Sequence, residues 1–199
     1  SFYNYVNKYY LEGFGINKNR SLLINTDKII LANGMPWTEV FSRGIVDLTL
    51  RHREAEFEKE KYQKESLYLI DQWCNLYEKN IRELGGIGFF LGGIGPDGHI
   101  AFNVRGSDHN STTRLTQTNF ETQATAAVDL GGIEISRNRL VITIGLGTIT
   151  YNKEATAIII AAGEAKAPII QASLESDQSI MYPASSLQKL NNSRFYITE

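Results

Sequence analysis

Cysteine is all but missing from this sequence: Cys74 stands alone among 199 residues. A lone thiol forms no intrachain disulfide and no cysteine-rich zinc site, and it fits a reducing compartment, so a cytoplasmic location is the expectation. Charge of one sign is missing too. Twenty Lys and Arg stand against 22 Asp and Glu for a formal net charge of −2, which gives nucleic acid no global basic field and leaves room only for a local phosphate site. No apolar run approaches the roughly 20 residues needed to cross a bilayer. The N-terminus, rich in Tyr and Asn, lacks the basic and apolar regions of a signal peptide. No internal repeat or low-complexity linker divides the chain, so residues 1–199 read as a single domain, and the start at Ser1 suggests a processed or cloned fragment.

What is present has the make-up of a soluble globular protein with a real core: 42% hydrophobic and 21% charged residues. Leu67, Ile70, Cys74, Tyr77, Ile81 and Leu84 recur every three or four positions, the stripe of an amphipathic helix that Gly85 and Gly86 close. The charged stretch EAEFEKEKYQKE (54–65) reads as its solvated extension or as a separate exposed helix. Phe2, Val6 and Tyr9 or Tyr10 predict a short N-terminal helix closed at Gly13, with core aromatics. In residues 21–53, SLLI and KIILA fit either short strands or a loop with apolar anchors. Gly86–Leu91 reads as a buried strand; Arg139–Ile144, Thr156–Ala161 and Arg194–Thr198 read as further strands. Helical spacing follows at Ala165–Leu174 and Ala184–Leu190. This alternation indicates an α/β fold with a mainly parallel sheet flanked by helices.

Glycine-bearing turns follow three of the strands: GGIGPDGH (92–99), GLGT (145–148) and AGEAK (162–166). Ligands of open α/β sheets bind beyond the carboxyl ends of the strands, so the three turns are expected to share one crevice. GGIG is no dinucleotide fingerprint, because G-x-G-x-x-G does not open a helix there. The turn nevertheless sets a carboxylate, Asp97, two residues from an imidazole, His99. A tight Asp-Gly turn with a helix-capping histidine is the plainer alternative and weighs about equally on sequence alone.

LGGIGPDGHIAFN, then GS (106–107), STTR (111–114), ITIGLGTI, AAGEAKA and YPASSLQ, occur in the order seen in the glucosamine-6-phosphate deaminase (isomerase) family, which this chain resembles from Leu91 to Gln188. The related 6-phosphogluconolactonases share the G-x-G-x-D-G-H core, but HIAFN after it favours the amino-sugar branch. The resemblance implies a Rossmann-like sugar-phosphate isomerase fold whose N-terminal part precedes Ser1, with an insertion around 25–62. It also implies a reaction: glucosamine 6-phosphate is ring-opened, isomerised and deaminated to fructose 6-phosphate and ammonia, without metal or redox cofactor. A sugar phosphate is then the expected partner, and a homo-oligomer is admissible; neither nucleic acid nor membrane is expected.

By the same resemblance His99 matches the ring-opening histidine and Asp97 the acid that orients it, while Gly93, Gly95 and Gly98 shape the substrate loop. Lys166 matches the phosphate lysine, where helix-terminus amides would add to its charge. A plain surface lysine is the alternative. Arg114 and Ser107 match an allosteric amino-sugar phosphate site of hexameric members; otherwise STTR is a polar loop. The sequence also departs from the family. Val104 stands where a glutamate completes the acid–histidine relay, and Arg105 replaces the usual proline. Ala127 falls at a second phosphate arginine, for which Arg137 or Arg139 are candidate substitutes, and Thr116 replaces a lysine. The phosphate loop and the segment bearing the enolisation base have no counterpart. Three functions follow: the deaminase, a catalytically silent sugar-phosphate sensor, and, more weakly, a lactonase with His99 activating water.

Overall fold

The computed structural model describes residues 2–42, 46–117 and 140–198. Helix α1 (Phe2–Val6) runs into a π-helical turn, Asn7–Glu12, and the chain reverses at Gly13 as its sequence predicts. Three of its aromatic residues are not core: Tyr5, Tyr9 and Tyr10 are each about half exposed, with Tyr5 packed on the other two, whereas Leu11 is buried. Residues 17–42 and 46–51 take the loop alternative, short 3₁₀ turns with helix α2 (Trp37–Val40). Its apolar anchors Ile29, Leu31, Val40, Phe41 and Leu50 are buried.

They are buried against helix α3 (Glu58–Glu83), one continuous helix that includes most of the charged stretch. Leu67, Ile70, Cys74 and Tyr77 face this core, while Leu84, beyond the last turn, is exposed. Arg53 clamps Glu60 in the first turn, and Arg82 sits in the last, both orientations that suit the helix dipole. Gly85 and Gly86 both take left-handed backbone conformations, and a Cβ on Gly86 would meet the Tyr151 ring at 2.8 Å. The pair therefore ends the helix and admits Tyr151 at once.

Three strands form a parallel sheet in the order β1 (Phe89–Gly93), β4 (Thr156–Ala162), β5 (Asn192–Thr198). The fold is α/β. Phe90, Ala157, Ile159, Ala161 and Phe195 point to a core shared with Ile94, Ile100, Ile169, Ile170 and Leu187. The other face is open: Phe89, Leu91, Ile160 and Tyr196 are each more than half exposed. The expectation of a buried strand over Gly86–Leu91 is thus corrected, because among the described residues helices cover only one side and the strand begins at Phe89.

Strand β3 (Leu140–Thr143) is not part of this sheet. It pairs antiparallel with β2 (Arg114–Gln117), Arg114 opposite Thr143, and this ladder packs on α3. Helix α4 (Leu146–Ile149) follows β3, α5 (Ala167–Glu175) follows β4, and a 3₁₀ segment, Pro183–Lys189, precedes β5. Among the described residues no helix is long and apolar enough to cross a membrane. Ala127, Arg137 and Arg139 lie outside the described residues.

Candidate active site

The parallel register of β1 and β4 brings the turns that follow them to the same edge of the sheet. After β1 the chain folds back on itself: Gly98 N–H donates to the Gly95 carbonyl and Gly95 N–H to the His99 carbonyl, each at 3.0 Å. Gly98, at φ +82°, supplies the left-handed step that other residues resist. The reversal brings Asp97 Oδ1 to 2.5 Å from His99 Nδ1. Both side chains are largely buried, 9% exposed for Asp97 and 17% for His99. Gly95 lies directly beneath the imidazole, where a Cβ would overlap the ring. The sequence therefore needs glycine at 95 for space and at 98 for conformation. Gly93 ends β1 in the open, with no comparable demand on it.

Burial alone would raise the Asp97 carboxyl. The hydrogen bond and charge of His99, with backbone N–H groups of Asp97 and Arg105, more than reverse this and hold it below the usual carboxylate range. An ionised Asp97 can only accept, so His99 donates to it from Nδ1, and the second ring nitrogen, Nε2, is left for other partners.

The turn rests on the second loop. A Cβ on Gly98 would lie 3.1 Å from Ile169 in the first turn of α5, and the Gly98 carbonyl accepts from Ala184 N–H at 3.0 Å. Lys166, half-buried, is the residue immediately before α5, at the end of a 3₁₀ turn that Gly163 opens at φ +89°. Gly98, next to His99 in the chain, thus lies against the first turn of the helix that Lys166 precedes.

The third glycine turn plays another part. Gly145 and Gly147 are glycine because the backbone of Asn110 and Ser111 runs against them, and a Cβ on Gly145 would run into the Ser111 carbonyl. GLGT follows the antiparallel ladder rather than a strand of the sheet, so the expectation of three equivalent turns in one crevice is corrected to two turns and a support. The link is Asn103, fully buried, whose Nδ2 donates to the carbonyls of Ile100 (3.0 Å) and Ile144 (2.8 Å). Its Oδ1 accepts from Arg114 Nη1 at 2.8 Å, and Arg114 Nη2 donates to Ser107 at 3.3 Å. Arg114 and Ser107 are therefore in contact, and burial lowers the guanidinium against the pull of Asp108.

Glu78, on α3, escaped the sequence reading. Only 6% exposed, its Oε2 accepts from Thr113 N–H (3.2 Å), the Thr113 hydroxyl (2.9 Å) and the Thr148 hydroxyl (2.7 Å), and its Oε1 from Arg82 (3.0 Å). Burial would raise this carboxyl, but those donors hold it below its usual value. Thr148 in turn accepts from Gly145 N–H at 3.1 Å, so one carboxylate fastens both STTR and GLGT to the helix. The signal was available: position 78 falls on the stripe of 67, 70, 74 and 77. Val104 is half-buried, and it brings no proton acceptor to the loop. Among the described residues, no group of three or more His, Cys, Asp or Glu side chains is placed to hold a metal.

No protein-family model matches the chain. Curated proteins do. The glucosamine-6-phosphate deaminase of Phocaeicola vulgatus is 39% identical over 119 residues, 60% of this chain and 44% of the relative. That of Borreliella burgdorferi is 40% identical over 121 residues, again 60% and 44%. Among solved structures, a monomeric glucosamine-6-phosphate deaminase superposes with a TM-score of 0.58 at 30% identity, over 64% of this chain and 52% of that one. The chain spans somewhat under half the length of the curated relatives it matches. Sequence and fold agree that this chain resembles the glucosamine-6-phosphate deaminases over about three fifths of its length.

Proposed function

We propose that the chain carries the ring-opening and phosphate-binding part of an amino-sugar phosphate isomerase that converts glucosamine 6-phosphate and water to fructose 6-phosphate and ammonia. One observation carries the reading above all: the buried Asp97–His99 pair, held on a glycine turn at the carboxyl end of β1 against the start of α5. His99 Nε2 takes the proton of the C1 hydroxyl and returns one to the ring oxygen as the C1–O5 bond breaks and the C1 carbonyl forms. Asp97 fixes the tautomer and stabilises the imidazolium. Lys166, beside the first amides of α5, receives the phosphate. The single buried thiol, Cys74, is in keeping with a cytoplasmic setting.

The test is ammonia release from glucosamine 6-phosphate by the protein and by His99→Gln and Lys166→Ala. His99→Gln is expected to lose on the order of 10²- to 10⁴-fold in kcat, and Lys166→Ala to raise KM with a smaller loss in kcat. A rate unchanged by His99→Gln refutes the reading. Val104 favours a second one, a silent sugar-phosphate-binding relative, since the loop after His99 offers no further proton acceptor at that position. Tight binding of the sugar phosphate with no turnover by the full-length protein would establish it.

A further inference from the structure

The segment before α3 lies outside the family-like motifs, yet it builds a cleft of its own. About 430 Å³ of space opens between the start of the chain, the loop of residues 18–28 and one face of α3. Small-molecule sites commonly occupy roughly 300–1,000 Å³. None of the lining residues belongs to the 92–103 loop or to residues 163–175.

One wall carries the half-buried Trp73, backed by the buried ring of Tyr77. Trp73 and Tyr77, one turn apart on α3, stack with ring centroids 5.4 Å apart and planes 21° from parallel. The Tyr77 hydroxyl donates to the Leu22 carbonyl at 2.8 Å, which ties the loop to the helix. The loop then presents two lysines from separate 3₁₀ turns. Lys18 follows Asn17, whose side chain caps the first turn, and Lys28 closes the second, capped by Asn25. The lining holds both lysines and no carboxylate. Lys18 lies 3.6 Å from Glu12 in an exposed pair, which an incoming anion can displace; Lys28 has no salt-bridge partner among the described residues. Asn7 donates one amide hydrogen to the Tyr3 carbonyl and keeps its acceptor oxygen; Asn25 uses its oxygen as the cap and keeps its donors.

The partly exposed Trp73 ring suits the C–H face of a pyranose, amides with spare donors and acceptors suit hydroxyls, and the two lysines of the lining suit a phosphate. We propose that this cleft is a second site, for a hexose monophosphate, independent of the Asp97–His99 turn. It stands or falls separately from the ring-opening reading.

The chain has two tryptophans, so Trp37→Phe leaves Trp73 as the sole fluorescent indole and a reporter inside the cleft. The probe is glucose 6-phosphate, which has no amine to lose. A saturable change in Trp73 emission is expected. Its affinity should fall about tenfold or more in Lys18→Ala/Lys28→Ala, exposed positions at which the fold should survive, and hold in Lys166→Ala. Glucose alone and inorganic phosphate alone should each bind at least about tenfold more weakly. Calorimetric titration of the chain with both tryptophans retained gives the same comparison should Trp37→Phe not fold. Absence of saturable binding at millimolar probe overturns the proposal, as does binding that Lys166→Ala abolishes and the double lysine variant leaves intact. Equal affinity for glucose or for phosphate alone also overturns it.

Discussion

Gly95 is the position at which the smallest change should do the most specific damage. A methyl group there would overlap the His99 ring, and nothing in the backbone conformation forbids alanine, so the ring has to rotate away. The displaced ring loses its bond to Asp97, a charge-assisted contact worth about 1.5–3 kcal/mol, partly recovered because Asp97 keeps a backbone donor from Arg105. A net loss of about 1–2 kcal/mol lowers Tm by roughly 2–8 °C in a chain of this size. Catalysis should suffer far more, on the order of 10²- to 10⁴-fold, since the base is removed from its orienting acid. Gly98→Ala is the control with the opposite balance. Its left-handed backbone and its approach to Ile169 predict a stability cost of about 1–2 kcal/mol from conformation alone, with overlap added to it. Ammonia release, thermal melts and the histidine ring resonances separate the two variants. If Gly95→Ala melts with the parent, keeps its rate and leaves the His99 resonances unmoved, the geometry assigned to this turn is wrong.

Two further perturbations follow from the site. Glu78→Gln removes the charge that four donors share and should cost about 2 kcal/mol or more near neutral pH. The folded-state pKa of Glu78 is depressed, so this stabilisation is present above the unfolded glutamate value and is lost as pH falls through the folded one. Melts of parent and variant should therefore converge on acidification, and a gap that persists in strong acid would contradict the assignment. Val104→Glu supplies the carboxylate that the resemblance implies at this position and should raise ammonia release by the full-length protein about tenfold to a few hundredfold; no gain in a folded variant would remove Val104 as the deficit.

Much of this was legible because some residues have few uses. A left-handed Gly98 between an acid and a histidine, after an apolar run, reads as a turn that brings the two together, and it is one. The stripe from Leu67 to Tyr77 fixed one face of α3 by periodicity alone. Pairing was harder to read. The residues of β3 are as apolar as a sheet strand, and nothing in LVIT names its partner; that β2 rather than β1 lies beside it is a tertiary choice. The open face of β1 was hidden for the same reason, since an apolar run does not say which of its sides a helix will cover. Glu78 was missed because a glutamate in a charged helix usually faces water, and its partners, Thr113 and Thr148, lie 35 and 70 residues away.

The register of the sheet has a consequence in time. β1 leaves the ribosome well before β4, its hydrogen-bonded neighbour, and everything from the Asp97–His99 turn to the end of α4 must condense in between. Closing so long a crossover is entropically slow, whereas β2 and β3 can zip onto the finished α3 first and shorten the span that remains. Until β4 arrives, Phe89 and Leu91 sit on a strand whose β4 edge is unpaired, the condition under which nascent chains associate with one another. The acid–histidine turn therefore gains its outside supports, Ile169 and the Ala184 N–H, only from chain that follows β4.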